Sequence, residues 1–74
     1  MKLTKTQIAA LEAVKRGEVF LDSKTGNFYG TSKLMVYELF GMRLIKHDKQ
    51  NTRAESTMYS LTDAGRAALE EVRK

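Results

Sequence analysis

The sequence predicts a single α+β domain built around one central helix, and three observations predict it. The first is the stretch Thr31 to Ile45, the most apolar run in a chain with 30% charged residues. It opens on two hydroxyl residues, continues with apolar positions at helical spacing, and slides into the β-leaning pair Leu44-Ile45. The second is a well-marked amphipathic segment at each end of the chain. The third is a set of short β-prone runs between turn residues. At 74 residues there is room for one thin domain, spanning residues 1–74. It buries about 60–65% of the surface it would expose unfolded.

The first helix is signalled at both ends. Thr4-Lys5-Thr6-Gln7 fits a capping box, in which Thr4 takes the Gln7 amide proton and the Gln7 side chain returns the bond. Leu3 and Ile8 make the matching hydrophobic staple. Ile8, Leu11 and Val14, widened by Ala10, form the apolar stripe. Lys15-Arg16-Gly17 is a stop, with cations at the negative end of the dipole and a glycine to leave the helix.

Next, Val19-Phe20-Leu21 and Phe28-Tyr29 are β-prone and flank turn chemistry from Ser23 to Asn27. This is read as a short hairpin, with an irregular loop as the competing reading. The central helix places Met35, Val36, Leu39 and Met42 inward and Lys33, Leu34, Tyr37, Glu38 and Gly41 outward. Leu44 to Asp48 continues the chain as a strand. Lys49 to Ser56 is polar, holds no large apolar residue, and suits a mobile loop. Thr57 to Leu61 alternates as a returning strand. Thr62 caps the last helix with Asp63 at its positive end. Ala64, Ala68 and Val72, with Leu69 alongside, are its apolar stripe, and Gly65 implies a close backbone approach.

Composition excludes more functions than it names. With no cysteine there is neither a disulfide nor a thiolate metal site. No apolar run nears the ~20 residues that span a bilayer. The start lacks the apolar core of a secretion signal, so the cytoplasm is the expected compartment. His47 is the single histidine and has no second ligand at metal spacing, so a strand-surface role is expected for it. With no thiol, no second histidine, no glycine-rich phosphate loop and no paired carboxylates facing a pocket, neither catalysis nor a cofactor is expected. Adjacent Glu70 and Glu71 face different ways on a helix and read as charged surface.

The element order, and the words that fill it, resemble a winged-helix domain. Tyr59-Ser-Leu-Thr-Asp-Ala-Gly-Arg-Ala-Ala-Leu69 is similar to the segment that leaves the wing in MarR-type and PadR-type bacterial regulators. Leu39 and Arg43-Leu44-Ile45 resemble the end of the family's recognition helix and its first wing strand, and Leu3 to Gly17 resembles its opening helix. Small phage and prophage proteins share the layout. The expected architecture is therefore helix, β-hairpin, helix, strand, wing, strand, helix. It departs from the regulators in two places: strand-like residues replace their second helix, and Arg43 stands where they tend to have glycine.

The resemblance implies a small DNA-binding protein of transcriptional or phage type, central helix in the major groove and wing on the backbone. Thr31, Ser32, Lys33 and Tyr37 are the candidate base-edge contacts, and Arg43, Lys46, Lys49 and Arg53 the candidate phosphate contacts. A net charge of +4 is compatible with that partner, its excess lying at both ends of the first helix (Lys2, Lys5, Lys15, Arg16) and in the loop after residue 45. The helix-end cations themselves read as solvated, with Lys5 within reach of a phosphate, and a specific reader of this size calls for a homodimer. Two other readings stay open. Leu34, Tyr37 and Phe40 can pack under the hairpin, or the apolar helix can serve a protein partner on a fold without a DNA role.

Overall fold

The computed structural model describes residues 3–73, and Arg73 by its backbone alone. Helix α1 (Lys5–Lys15) is followed by strands β1 (Phe20–Asp22) and β2 (Phe28–Tyr29), helix α2 (Lys33–Gly41), strands β3 (Ile45–His47) and β4 (Ser56–Leu61), and helix α3 (Asp63–Arg73). The four strands form one antiparallel sheet in the order β2-β1-β4-β3. The fold is α+β.

Local sequence accounts for where each helix starts. The Thr4 capping box forms in full, with Thr4 Oγ1 accepting from the Gln7 amide at 3.1 Å and Gln7 Oε1 accepting from the Thr4 amide at 2.9 Å. Gln7 does more than cap. Its side chain is buried, and its Nε2 donates to a Glu38 carboxylate oxygen, tying the start of α1 to α2. Ser32 caps α2 by accepting from the Met35 amide at 3.2 Å. Thr62 Oγ1 accepts from the Gly65 amide at 3.0 Å and donates to the Arg43 carbonyl at 2.7 Å. One hydroxyl thus starts α3 and pins the exit of α2.

The core gathers Leu11, Val14, Val19, Val36, Leu39, Leu44, Ile45, Tyr59, Leu61 and Leu69. Leu11, Leu39 and Val19 are completely buried. The inward set read for α2 is therefore right, with Met35 and Met42 packed at its margin. On α3 the inward set differs from the expected stripe. Leu69 is buried and Ala68 partly so, but Ala64 and Val72 are exposed. Gly65 explains the rotation. A Cβ there would sit on the Leu44 carbonyl oxygen, so the glycine edge of α3 lies against the backbone after α2.

The hairpin forms, joined by Phe20↔Tyr29 and Leu21↔Phe28 pairs. The expected strand from 44 to 48 is shorter, although the Asp48 amide still donates to the Met58 carbonyl at 2.9 Å. Residues 49–56 read as a mobile loop, yet Ser56 opens β4 and the residues before it hold a hydrogen-bonded structure of their own. The Thr52 hydroxyl donates to the Asp48 carbonyl at 2.6 Å and accepts from the Met58 amide at 3.1 Å, while Arg53 and Ser56 exchange backbone bonds. The hairpin turn also holds this loop, through the Ser23 amide on the Glu55 carbonyl and a Lys24–Glu55 ion pair at 3.0 Å. No helix among the described residues is long and apolar enough to cross a membrane.

Candidate nucleic-acid interface

Helix α2 reaches the surface along Leu34, Tyr37 and Phe40. Leu34 is 79% exposed and Tyr37 56% exposed, so the hairpin does not cover this side. The contact is partial. Tyr37 meets the ring of Phe28 edge-on at 5.9 Å, and Phe40 lies against His47 and Tyr59. His47 is thus a strand-surface histidine within an aromatic cluster, as its isolation in the sequence implies. Among the described residues no three His, Cys, Asp or Glu side chains come together as a set of metal ligands. Burial raises the Tyr59 hydroxyl above the ordinary tyrosine range, with a smaller push from Tyr37.

The candidate residues fall into two groups. Thr31, Ser32, Lys33 and Tyr37 lie together at the start of α2, where Lys33 Nζ sits 5.7 Å above the Tyr37 ring. Ser32 Oγ is committed as an acceptor to the Met35 amide, which leaves its hydroxyl proton free to donate. Arg43, Lys46, Lys49 and Arg53 succeed one another from the α2 exit, along β3, to the tip of the 48–55 loop. Lys46 points to the opposite side of β3 from His47, the side away from α2, since strand neighbours alternate. Arg53 lines a groove with Lys15 and Phe20. Lys2 lies outside the described residues.

The electrostatics of the second group could not be read from charge counts along the chain. In sequence, Asp48 and Glu55 offset the loop cations. In space, Glu55 is taken by Lys24, and both Asp48 carboxylate oxygens accept from Asn51. Glu18 is held by Arg16 at 2.9 Å and Asp63 by Arg66 at 2.7 Å. The Arg66 hydrogen bond, then its charge, holds the Asp63 carboxyl below its ordinary range, with a further contribution from Lys46. Among the described residues, Arg43, Lys46, Lys49 and Arg53 have no carboxylate at ion-pair distance.

Arg43 has one more property that residue type does not reveal. Its φ is +60°, the left-handed region, and it stands alone in that respect among the described non-glycine residues. No family model, no curated protein and no solved structure gives a significant match to this chain.

Proposed function

We propose that the chain is a winged-helix module that binds duplex DNA, with α2 toward the major groove and residues 48–55 as the wing. The observation that carries this reading is the run of four cations, Arg43, Lys46, Lys49 and Arg53, which have no carboxylate at ion-pair distance among the described residues, while the nearby Glu55 is paired with Lys24. Four phosphate contacts give an affinity that falls with salt at a logarithmic slope of about −3.6. The strand order supports the architecture, because β1 and β3 flank β4 and the wing is the β3–β4 connection. The hairpin strand β2 takes the place of the usual second helix.

Base readout on this surface is sparse. Thr31, Ser32 and Lys33 supply donors, and Tyr37 with Leu34 supplies apolar contact of the kind thymine methyl groups accept. Most of the affinity is therefore electrostatic, and sequence choice calls for a second copy on a paired half-site. The deciding measurement is a titration of mixed-sequence duplex at ~20 mM and ~150 mM salt. Binding at low salt that weakens steeply is expected, and Arg53→Ala should make the slope shallower by about 0.9. No binding at ~20 mM salt removes the proposal.

One observation favours a second reading, a protein-docking surface: Leu34 stands open to solvent beside Tyr37. Tyr37→Ala separates the two. It weakens duplex binding if α2 enters the groove, and leaves it unchanged if that side serves a protein.

A further inference from the structure

The sheet has a second side that the duplex reading does not use. Strand register sets Val19, Tyr59, Leu61 and Ile45 on the side toward the core, where all four are buried. The opposite side carries a cross-strand row of Tyr29, Phe20 and Met58. This row is not sealed. Tyr29 is 44% exposed, and Phe20 and Met58 are half-buried. The Tyr29 and Phe20 rings are stacked at 5.0 Å with 19° between their planes. Strands ~4.8 Å apart make the row about 10 Å wide, enough to seat an unstacked base.

Cations stand along one flank of the row. Its Phe20 and Met58 members line an open groove of about 560 Å³, together with Lys15 and Arg16 from the last turn of α1 and its cap and Arg53 from the wing. Arg16 is neutralised by Glu18, but Lys15 and Arg53 have no carboxylate partner among the described residues. Asp48 is the acid in the lining; the neutral Asn51 amides orient it and leave its charge, so the groove keeps a net positive excess from Lys15 and Arg53. A stacked aromatic pair beside two unpaired cations complements a ligand with flat unpaired rings and a regular run of negative charge. A paired duplex hides its bases from such a surface, and an acidic peptide has no rings to stack.

We propose that this side of the sheet binds single-stranded nucleic acid, with a base stacked on Tyr29 and flanking phosphates at Lys15 and Arg53. The site shares Arg53 with the duplex reading and uses neither α2 nor the residues at its start. Single-domain platforms of this type cover up to about 16 nucleotides, so a labelled oligothymidylate of about that length is the probe. Fluorescence anisotropy at ~20 mM salt is expected to show binding. Tyr29→Leu should weaken it about tenfold or more, and Tyr29→Phe, which keeps the ring, should retain it. Lys15→Gln, at an exposed helix end where folding is not at stake, should make the salt slope shallower by about 0.7.

Both Tyr29→Leu and Lys15→Gln should leave duplex affinity unchanged, which separates this site from the one on α2. Duplex binding absent while the oligonucleotide binds removes the function proposed above and leaves this site standing. No oligonucleotide binding at low salt overturns it, as does equal affinity of wild type and Tyr29→Leu. Equally tight binding of polyglutamate-competed and uncompeted samples supports a nucleic-acid surface, whereas displacement by polyglutamate at equal charge concentration overturns it in favour of unselective charge attraction.

Discussion

Helices α1 and α2 leave by the same route and use different residues to do so. At the first exit the Gly17 amide donates to the Val14 carbonyl and the Glu18 amide to the Ala13 carbonyl, both at 3.0 Å. At the second, the Arg43 amide donates to the Phe40 carbonyl and the Leu44 amide to the Leu39 carbonyl, again at 3.0 Å. Each is a Schellman turn whose pivot is left-handed, with φ of +75° at Gly17 and +60° at Arg43. Glycine takes that conformation freely, and for a residue with a Cβ it costs about 1–2 kcal/mol.

The two turns differ in the residue that succeeds the pivot. Beyond Gly17 comes Glu18, exposed and ion-paired to Arg16. Beyond Arg43 comes Leu44, buried against the core with Leu39, its carbonyl accepting from the Thr62 amide at 3.0 Å. The Thr62 hydroxyl holds the Arg43 carbonyl as well. The second turn is fixed by its surroundings and tolerates a strained pivot. Strain that persists beside a surface is a pointer to use, and here it places a guanidinium at the head of the unpaired cation run.

The sharpest way to break the second exit is Gly65→Ala. Its Cβ would collide with the Leu44 carbonyl, backbone against backbone, at an expected cost of about 3 kcal/mol or more. A domain this size holds roughly 4–11 kcal/mol in all, so the urea midpoint should fall steeply. A midpoint near wild type would mean α3 can move off the turn.

Next in size is the pair of pivots themselves. Gly17→Ala should cost about 1 kcal/mol, because nothing around the first exit compensates for a left-handed alanine. Arg43→Gly should gain about 0.5 kcal/mol as relieved strain outweighs chain entropy, while making the duplex salt slope shallower by about 0.9. Chemical denaturation of both variants checks the sign, and loss of stability in Arg43→Gly would show that the arginine side chain packs.

The smallest effect concerns Asp63, next to the threonine that clamps the second turn. Arg66 holds its folded carboxyl below the ordinary range. Its contribution is therefore complete above the unfolded aspartate value and is lost as pH falls through the lowered folded one. Asp63→Asn should be slightly less stable than wild type at about pH 7 and indistinguishable near pH 2. The carboxylate is fully exposed, so the gap should be small, and a constant gap across the acid range would exclude the linkage.

Much of the fold was legible in the chain. Thr4 with Gln7, Lys15-Arg16-Gly17, and Thr62-Asp63 are local signals, and each marks a helix end in the structure. The register of the hairpin was not legible, because turn geometry fixes it and the turn residues admit more than one pairing, nor was the link from Gln7 to Glu38, which joins residues far apart in sequence. The candidate interface divides in the same way. Residue types named Arg43, Lys46, Lys49 and Arg53, but the pairing of Glu55 with Lys24 across two loops decides that the wing cations are unpaired. Phe20 was read as a strand former, and its stacking with Tyr29 on an open sheet side appears once the strands are paired.

By itself the sequence determined where the helices start, the apolar face of α2 and the close contact at Gly65, because caps, periodicity and a missing Cβ act over a few residues. Tertiary structure decided the handedness of the backbone at Arg43, the partner Glu55 takes and the side of the sheet left open. Those depend on distances between segments separated by tens of residues, which only the packed core sets.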